Sequence, residues 1–311
     1  MARTPLFQGG GGGSNPPGAI FIYPHNIMKP FKIKAPAKIN LALWILGRRP
    51  DGYHEILTLF MKLPLFDEVF ITEAEELKVF CKGCPSGKDN IVFKAIQLLG
   101  DELGRKFNVE VRISKKIPMG GGLGGGSSDA AAVLKALNRI YDLGLSLQEM
   151  QNIGAQLGAD IPFFLLESPM AVGRGKGEIL EPVEIQPTFH VKLFCPQIHI
   201  STAWAYSQAS LKKSFTPKSI AESKLQGLLN AFRTKDWQNL RNFVENDFEK
   251  VLPSEFPEMK RLIEKVKAEK GAIAAGLSGS GACCFSIFEA HSQMVELVTP
   301  CIVPGHSDLT F

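Results

Sequence analysis

From Phe31 the chain alternates. Phe31, Ile33, Ile39, Leu41, Leu43 and Ile45 fall on one parity, and Lys32, Lys34, Lys38, Asn40, Ala42 and Trp44 on the other. A period of two is that of a β-strand, whose successive side chains point to opposite faces. Lys38 and Asn40 therefore share a face opposite the main apolar set, next to small alanines. That face is either a polar cleft or a solvated sheet surface. Pro36 interrupts the ladder locally and leaves the parity beyond it intact. Residues 68–72, 109–113 and 191–196 read as further strands. Helical periods cover 90–99, with Asp89 or Asn90 at the cap, and 146–158, where Ser146 and Glu149 form a capping box and Gly158 marks the end. A helix begins at Ser201–Tyr206, and helical patterns recur at about 217–231, 236–251 and 257–270. Residues 272–275 and 283–288 read as a strand pair around a glycine–serine turn, and the chain changes register at Glu181–Thr188.

The central stretch is Pro118-Met119-Gly120-Gly121-Gly122-Leu123-Gly124-Gly125-Gly126-Ser127-Ser128-Asp129-Ala130-Ala131-Ala132. Glycine lets the backbone turn with positive φ and lets a ligand approach closely. Ser127 and Ser128 are good N-cap types, and the alanines that follow favour helix. Unpaired N–H groups at a helix start, backed by the macrodipole, suit a phosphate. The stretch therefore reads as a nucleotide phosphate loop. It lacks the Gly-Lys-Ser/Thr ending of the Walker type. Gly120, Gly122 and Gly125 satisfy G-x-G-x-x-G, but any dense glycine run does. By contrast, Gly9–Gly18 leads into no apolar pattern and reads as a flexible tail, so that Met28 stands as a possible functional start.

Composition narrows the picture. The chain has 311 residues, 45% of them apolar, which suits one large or two ordinary domains. A net charge of +4 without a basic block gives no electrostatic case for nucleic acid. No apolar run has the length of a membrane span, and no signal-type apolar core opens the chain. A cytoplasmic protein is expected. One Arg and little Ser in the first residues argue against a plastid or other transit peptide. Of six cysteines, Cys81 and Cys84 form a lone C-x-x-C without a second ligand pair, so reduced thiols are expected.

Other candidates for chemistry are local. Gly47–His54 is a turn cluster ending in Tyr53 and His54, and the histidine is either a reader of a ligand or a capping residue. Asp160 precedes the apolar run Ile161–Leu166; a carboxylate entering a buried segment is costly unless partnered, so it is either functional or an ordinary turn residue. Gly173–Gly177 reads as a hairpin turn whose Arg174 and Lys176 lie within reach of phosphate. Gly276–Ala282 is either a tight hairpin or an anion nest.

Together, Pro36–Leu41, Pro118–Ala132 and Gly276–Ala282 resemble, in order and separation, the three motifs of the galactokinase, homoserine, mevalonate and phosphomevalonate kinase superfamily, over nearly all of 31–290. Within it, Asp51–His54, Gly124–Ala131 and Gly158–Phe164 resemble the branch that phosphorylates 4-(cytidine 5'-diphospho)-2-C-methyl-D-erythritol in the non-mevalonate isoprenoid pathway. The resemblance implies a two-domain α+β fold: a ribosomal-protein-S5-like N-terminal domain over 29–185, a ferredoxin-like C-terminal domain over 186–311, and an active site in the cleft between them, after a leader over 1–28. It implies ATP-dependent phosphorylation of the C2 hydroxyl, with Mg²⁺ arriving with the nucleotide. The partner is the cytidine-diphosphate sugar alcohol; neither nucleic acid nor membrane is implied, and monomer and homodimer both stay open.

Carried over to this chain, the resemblance makes Asp160 the base and Lys38 its partner. A nearby lysine favours the carboxylate form and stabilises charge on the attacked oxygen. Pro118–Leu123, Gly124–Gly126, Ser127 and Ser128 hold the ATP phosphates, and Asn90 lies near the adenine. Asn40 orients the acceptor, Tyr53 and His54 read the cytosine, and Tyr206 supplies a second aromatic beyond the base. Thr202 contacts the diphosphate region, and Ser278 and Gly279 shape the pocket from the second domain. The metal ligands stay unassigned: Asp129 either caps the helix or faces Mg²⁺ through water. The glycine-rich leader and the ending Gly305–Phe311 depart from the pattern. Three rivals predict different partners: a homoserine or mevalonate kinase has no use for a cytosine reader, a dinucleotide oxidoreductase needs a strand running straight into the loop, and a nucleic-acid-binding module needs a basic stripe.

Overall fold

The computed structural model describes residues 30–298. The readings made for the leader, for Cys301 and for the ending at Gly305–Phe311 lie outside the described residues. The first sheet grows from a long antiparallel pair, β1 (Phe31–Arg48) and β2 (His54–Glu73). One edge of β2 pairs with β1. Its other edge is shared by β4 (Val109–Ser114) near the end of β2 and by β5 (Met170–Arg174) near its start; β3 (Lys78–Cys81) extends the sheet beyond β4 and β6 (Ile179–Val183) beyond β5. The alternating pattern announced β1, but its parity does not hold throughout. The register shifts between Asn40 and Ala42, where one extra residue on β1 moves the following side chains to the other face. Ala42 and Trp44 therefore join Ile39 and Leu41 in one core, while Leu43 and Ile45 join another, on the side of Lys38 and Asn40. Every residue from Ala37 to Ile45 is buried, so the Lys38 face is a covered cleft and not a solvated surface.

Helices α1 (Ile91–Glu102), α2 (Gly125–Ile140), α3 (Leu147–Leu157) and α4 (Ile161–Leu165) share one apolar cluster with β2 and β4. The Asn90 cap on α1 and the Ser146–Glu149 capping box on α3 form as their sequences predict. The second sheet has the order β10-β7-β9-β8, with β7 (Phe189–Phe194), β8 (Ala274–Leu277), β9 (Cys284–Glu289) and β10 (Met294–Val298). Its helices are α5 (Thr202–Leu211), α6 (Lys218–Thr234), α7 (Trp237–Leu240), α8 (Leu252–Glu255) and α9 (Pro257–Lys267). The architecture is mixed helix and sheet; β4 is antiparallel to β2 and parallel to β3, and the β3–α1–β4 unit comes before the glycine loop, whereas a dinucleotide-binding fold carries that loop between the first strand and the helix of the unit.

Two expectations fail. The helical pattern over 236–251 is broken: α7 spans only Trp237–Leu240, a single 3₁₀ turn covers Asp247–Lys250, and Leu43 of β1 bridges to Asn246 in between. Asn246 and Asp247 are weak helix formers whose side chains compete for backbone groups, and here both find partners outside the segment. The cysteines are also not all free thiols: Cys81 is joined to Cys84 and Cys195 to Cys283, while Cys284 is a buried free thiol.

Candidate active site

The glycine loop passes directly into α2, and Gly124, with φ of 71°, is the residue before the helix. Ser127 and Ser128 are thus inside the first turn and not at the cap, as the propensities had suggested. Successive helical positions diverge by about a quarter turn or more. Ser127 lines the cavities at the loop, whereas Ser128 is buried and its hydroxyl has no hydrogen-bond partner among the described residues. Glycine is required here by space as well as by φ. A Cβ on Gly124 would stand 2.8 Å from the Phe164 ring, and one on Gly122 would run into the carbonyl of Ser278.

Lys38 hangs from β1 directly beneath this loop, and its backbone N–H donates to Leu123 O at 3.0 Å. Its ammonium lies 3.2 Å from Asp160 Oδ2, donates to Asn40 Oδ1 at 2.8 Å, and sits 5.3 Å from the centre of the Phe60 ring. Asn40 is held in turn by donating to Thr58 Oγ1 at 2.8 Å, and Thr58 donates to Ala42 O. Asp160 opens α4, whose five residues are all buried; its carboxylate does not cap that helix and stays 31% exposed. The side chain is therefore anchored by apolar packing and open on one side.

Three spaces meet at this pair. A cavity of about 400 Å³ follows Pro118–Ser127, with Asn90 on its wall. A junction of about 220 Å³ holds Lys38, Asn40, Asp160, Gly122, Gly124 and Gly279. A third space of about 870 Å³ is lined by Tyr53, His54, Lys176, Thr202 and Tyr206, and shares Asp160 with the junction. The glycine loop between β4 and α2 forms one wall, and α5 and the glycine–serine turn close the far wall.

Several expected residues sit differently from their sequence reading. Ser278 is fully buried and donates to Gly122 O at 3.0 Å, so it holds two loops together instead of facing a ligand. The serine that lines the junction is Ser280, 2.9 Å from Thr202 Oγ1, and Thr202 and Tyr206 line it too. Asn90 spends its side chain on the α1 cap and on Pro85 O. Tyr206 faces the His54 ring, stacked at 4.8 Å, and not Tyr53, which is exposed with the Lys176 ammonium 4.5 Å above its ring. His54 also bonds Ser210 Oγ at 2.6 Å; burial, assisted by Arg48, lowers its pKa below the ordinary imidazole value. Burial and the nearby Asp160 carboxylate push the Tyr206 phenol up. Arg174 pairs with Glu222, which takes it away from any phosphate.

Sequence reading missed a second lysine–aspartate group under the same loop. Lys115 Nζ bonds Asp129 Oδ2 at 2.8 Å and pairs with Asp67. Asp67 also accepts from the backbone N–H groups of Lys116 and Ile117 at 2.5 and 2.9 Å. Burial, with Asp67 as a second anion, raises the Asp129 carboxyl to about 7 despite Lys115. Asp129 makes no cap bond; with Lys115 it borders the loop cavity, its Oδ1 has no hydrogen-bond partner among the described residues, and no group of three acidic, His or Cys side chains suited to a metal occurs among them. The basic pair Lys115-Lys116 before Pro118 was the available signal.

Models of the GHMP kinases match this chain twice: the N-terminal domain over 90–168 and the C-terminal domain over 228–297. Fold and site thus define a kinase of the GHMP class. A 4-diphosphocytidyl-2-C-methyl-D-erythritol kinase of Citrifermentans bemidjiense is 38% identical over 85% of this chain and 92% of its own length. A crystal structure of a 4-(cytidine 5'-diphospho)-2C-methyl-D-erythritol kinase is 33% identical, covers 84% of this chain and 91% of that one, and superposes with a TM-score of 0.68. A homoserine kinase of Cytophaga hutchinsonii, at 18% identity, 87% and 88% coverage and a TM-score of 0.61, shares the fold. The chain belongs to the family of 4-diphosphocytidyl-2-C-methyl-D-erythritol kinases.

Proposed function

We propose that this chain transfers the terminal phosphoryl group of ATP to the C2 hydroxyl of 4-(cytidine 5'-diphospho)-2-C-methyl-D-erythritol. The observation that carries the reading is the Lys38–Asp160 pair at 3.2 Å, standing where the glycine-loop cavity opens toward the Tyr53–His54 space. A triphosphate on the loop and a hydroxyl beside Asp160 then meet at one point. The Asp160 carboxylate takes the proton of the hydroxyl as its oxygen bonds to the γ-phosphorus. The bond from that phosphorus to the β,γ-bridging oxygen breaks, and ADP leaves. Lys38, held by Asn40, stabilises the charge that gathers on the oxygens.

Tyr53, His54 and Tyr206 offer aromatic faces and a ring nitrogen to a pyrimidine, and Lys176 a cation to its phosphates. The ATP site comprises Asn90, Pro118–Gly126 and Ser127. Mg²⁺ fits as a companion of the nucleotide: the open Asp160 carboxylate and the Ser127 hydroxyl lie beside the loop, and no cluster suited to a resident metal occurs among the described residues. When bound, it neutralises phosphate charge. A catalytic unit formed of an N-terminal domain over 29–185 and a C-terminal domain over 186–311 is part of the same reading. An ADP-release assay comparing the cytidine-diphosphate acceptor with homoserine and mevalonate tests it: turnover should appear with the first, and equal or greater turnover with either of the others would refute the assignment.

A further inference from the structure

The segment Glu245–Glu249 interrupts an otherwise helical pattern, and nearly every side chain in it binds something distant. Glu245 accepts from the Trp44 indole at 3.0 Å, Asp247 accepts from the Ile45 N–H at 2.7 Å, and Glu249 accepts from the Leu277 N–H at 3.0 Å. Leu43 N–H also donates to Glu245 O at 2.9 Å. The segment is therefore a clasp between β1, which carries Lys38 and Asn40, and the turn that follows β8.

Asn246 is at its centre. It is 4% exposed, and its amide donates to Leu277 O and to Gly279 O, both at 2.8 Å, while its Oδ1 accepts from Phe248 N–H at 3.0 Å. The two carbonyls flank Ser278. Only an amide with its NH₂ toward them fits, since two carbonyl oxygens repel a third. The turn so held reaches the phosphate loop: Ser278 donates to Gly122 O, and Gly279 packs on Gly122 with room for nothing larger, its Cβ position 3.2 Å from Gly122 Cα and 3.5 Å from Asn40 Oδ1. Ser280, in the same turn, lines the junction.

We propose that Asn246 is a positioning residue for phosphoryl transfer. It fixes the Leu277–Gly281 turn against Gly122 and Asn40, and so sets the distance between an acceptor bound from the second sheet and the Lys38–Asp160 pair. It touches no reactant. The proposal rests on the kinase reading above. A buried amide with both N–H groups used cannot be replaced without leaving carbonyls unpaired, and an error of about 1 Å at a reacting centre lowers a rate about 100-fold.

Two variants test it. Asn246→Ala should lower kcat about 10- to 100-fold while the dissociation constant for ATP, measured by direct binding, changes less than threefold. Hydrogen exchange of the 277–283 amides should speed up while the β1–β2 amides stay protected. Asn246→Asp places a carboxylate against the two carbonyls; once protonated, it regains one donor. Its kcat relative to wild type should rise at least threefold from pH 8 to pH 5.5, whereas the Asn246→Ala ratio should stay flat, a split that a purely structural defect would not give. A kcat within twofold of wild type for Asn246→Ala, a parallel loss of rate and ATP affinity, or unchanged exchange in the turn overturns the proposal. A wild-type enzyme inert toward the cytidine-diphosphate acceptor refutes the substrate reading instead, and the exchange measurement still decides whether Asn246 holds the turn.

Discussion

Two lysine–aspartate groups lie under one glycine loop, and they differ most in how far their carboxylates are exposed. At Lys115 both carboxylates are buried, and Asp67 is fully satisfied by the ammonium and two backbone N–H groups. At Lys38 the ammonium is as buried, but Asp160 is 31% exposed and makes no cap bond. The buried group anchors the strand-to-loop connection through Asp67, while Lys115 and Asp129 border the loop cavity and one Asp129 oxygen has no hydrogen-bond partner among the described residues. The open group keeps a carboxylate directed into a cavity. Proximity of a lysine to an aspartate therefore does not mark chemistry; what marks it is a carboxylate that the fold holds in place and leaves facing a space for a reactant.

The sharpest test of this contrast is at the open pair. Asp160→Asn should lower kcat by about 10²–10⁴, the range expected for losing a general base, with ATP binding nearly unchanged. Lys38→Ala should lower kcat by about 10²–10³ and weaken nucleotide binding less. A near-normal rate in either variant would remove the pair from the chemistry. At the buried group the outcome should invert. Lys115→Met strands two buried carboxylates, so unfolding free energy should drop by about 3–5 kcal/mol while the kcat of the folded fraction falls far less than at Lys38. Denaturant titration with activity measured on the same samples would show it, and a stable but inactive variant would erase the distinction.

A smaller effect is expected in the acceptor space. His54→Ala should raise the acceptor KM about tenfold, roughly one buried hydrogen bond, with the ATP KM unchanged. Because burial keeps His54 below its ordinary pKa, the wild-type acceptor KM should be flat above pH 7. An unaltered KM in the variant would detach the histidine from the base. The smallest effect is electrostatic. Asp129 binds its proton up to about pH 7 in the folded chain but only to the ordinary carboxylate range when unfolded. The folded state thus holds more protons in that window, and stability must fall as pH rises through it. Asp129→Asn should lose this slope, so that its melting temperature gains on wild type between pH 5 and 7.5; parallel curves would contradict the assignment.

Much of the site was legible in the chain. The glycine run, the alternation carrying Lys38 and Asn40, the turn at Tyr53–His54 and Asp160 before its apolar run all stand at the three spaces that meet around the pair. These features are local: a glycine that needs positive φ, a period of two, a polar residue at the edge of a buried run. The 20-residue length of β2 and the existence of β10 were not read, because strand ends depend on which edge finds a partner.

What tertiary structure alone decided is which side chains remain free. The bulge after Asn40 fixes which apolar residues share the Lys38 face, and no pattern within one strand encodes a register shift against its neighbour. Ser128 and Ser278 looked identical in type to Ser127 and Ser280, yet the helix phase and the contact with Gly122 turn the first two away from the cavities, while Ser127 and the buried Ser280 line them. Asn246 sits more than 200 residues from Leu43, the β1 residue it bridges. The sequence determines residue chemistry and local period; the partners that consume or spare that chemistry come from segments far away along the chain, and only folding brings them together.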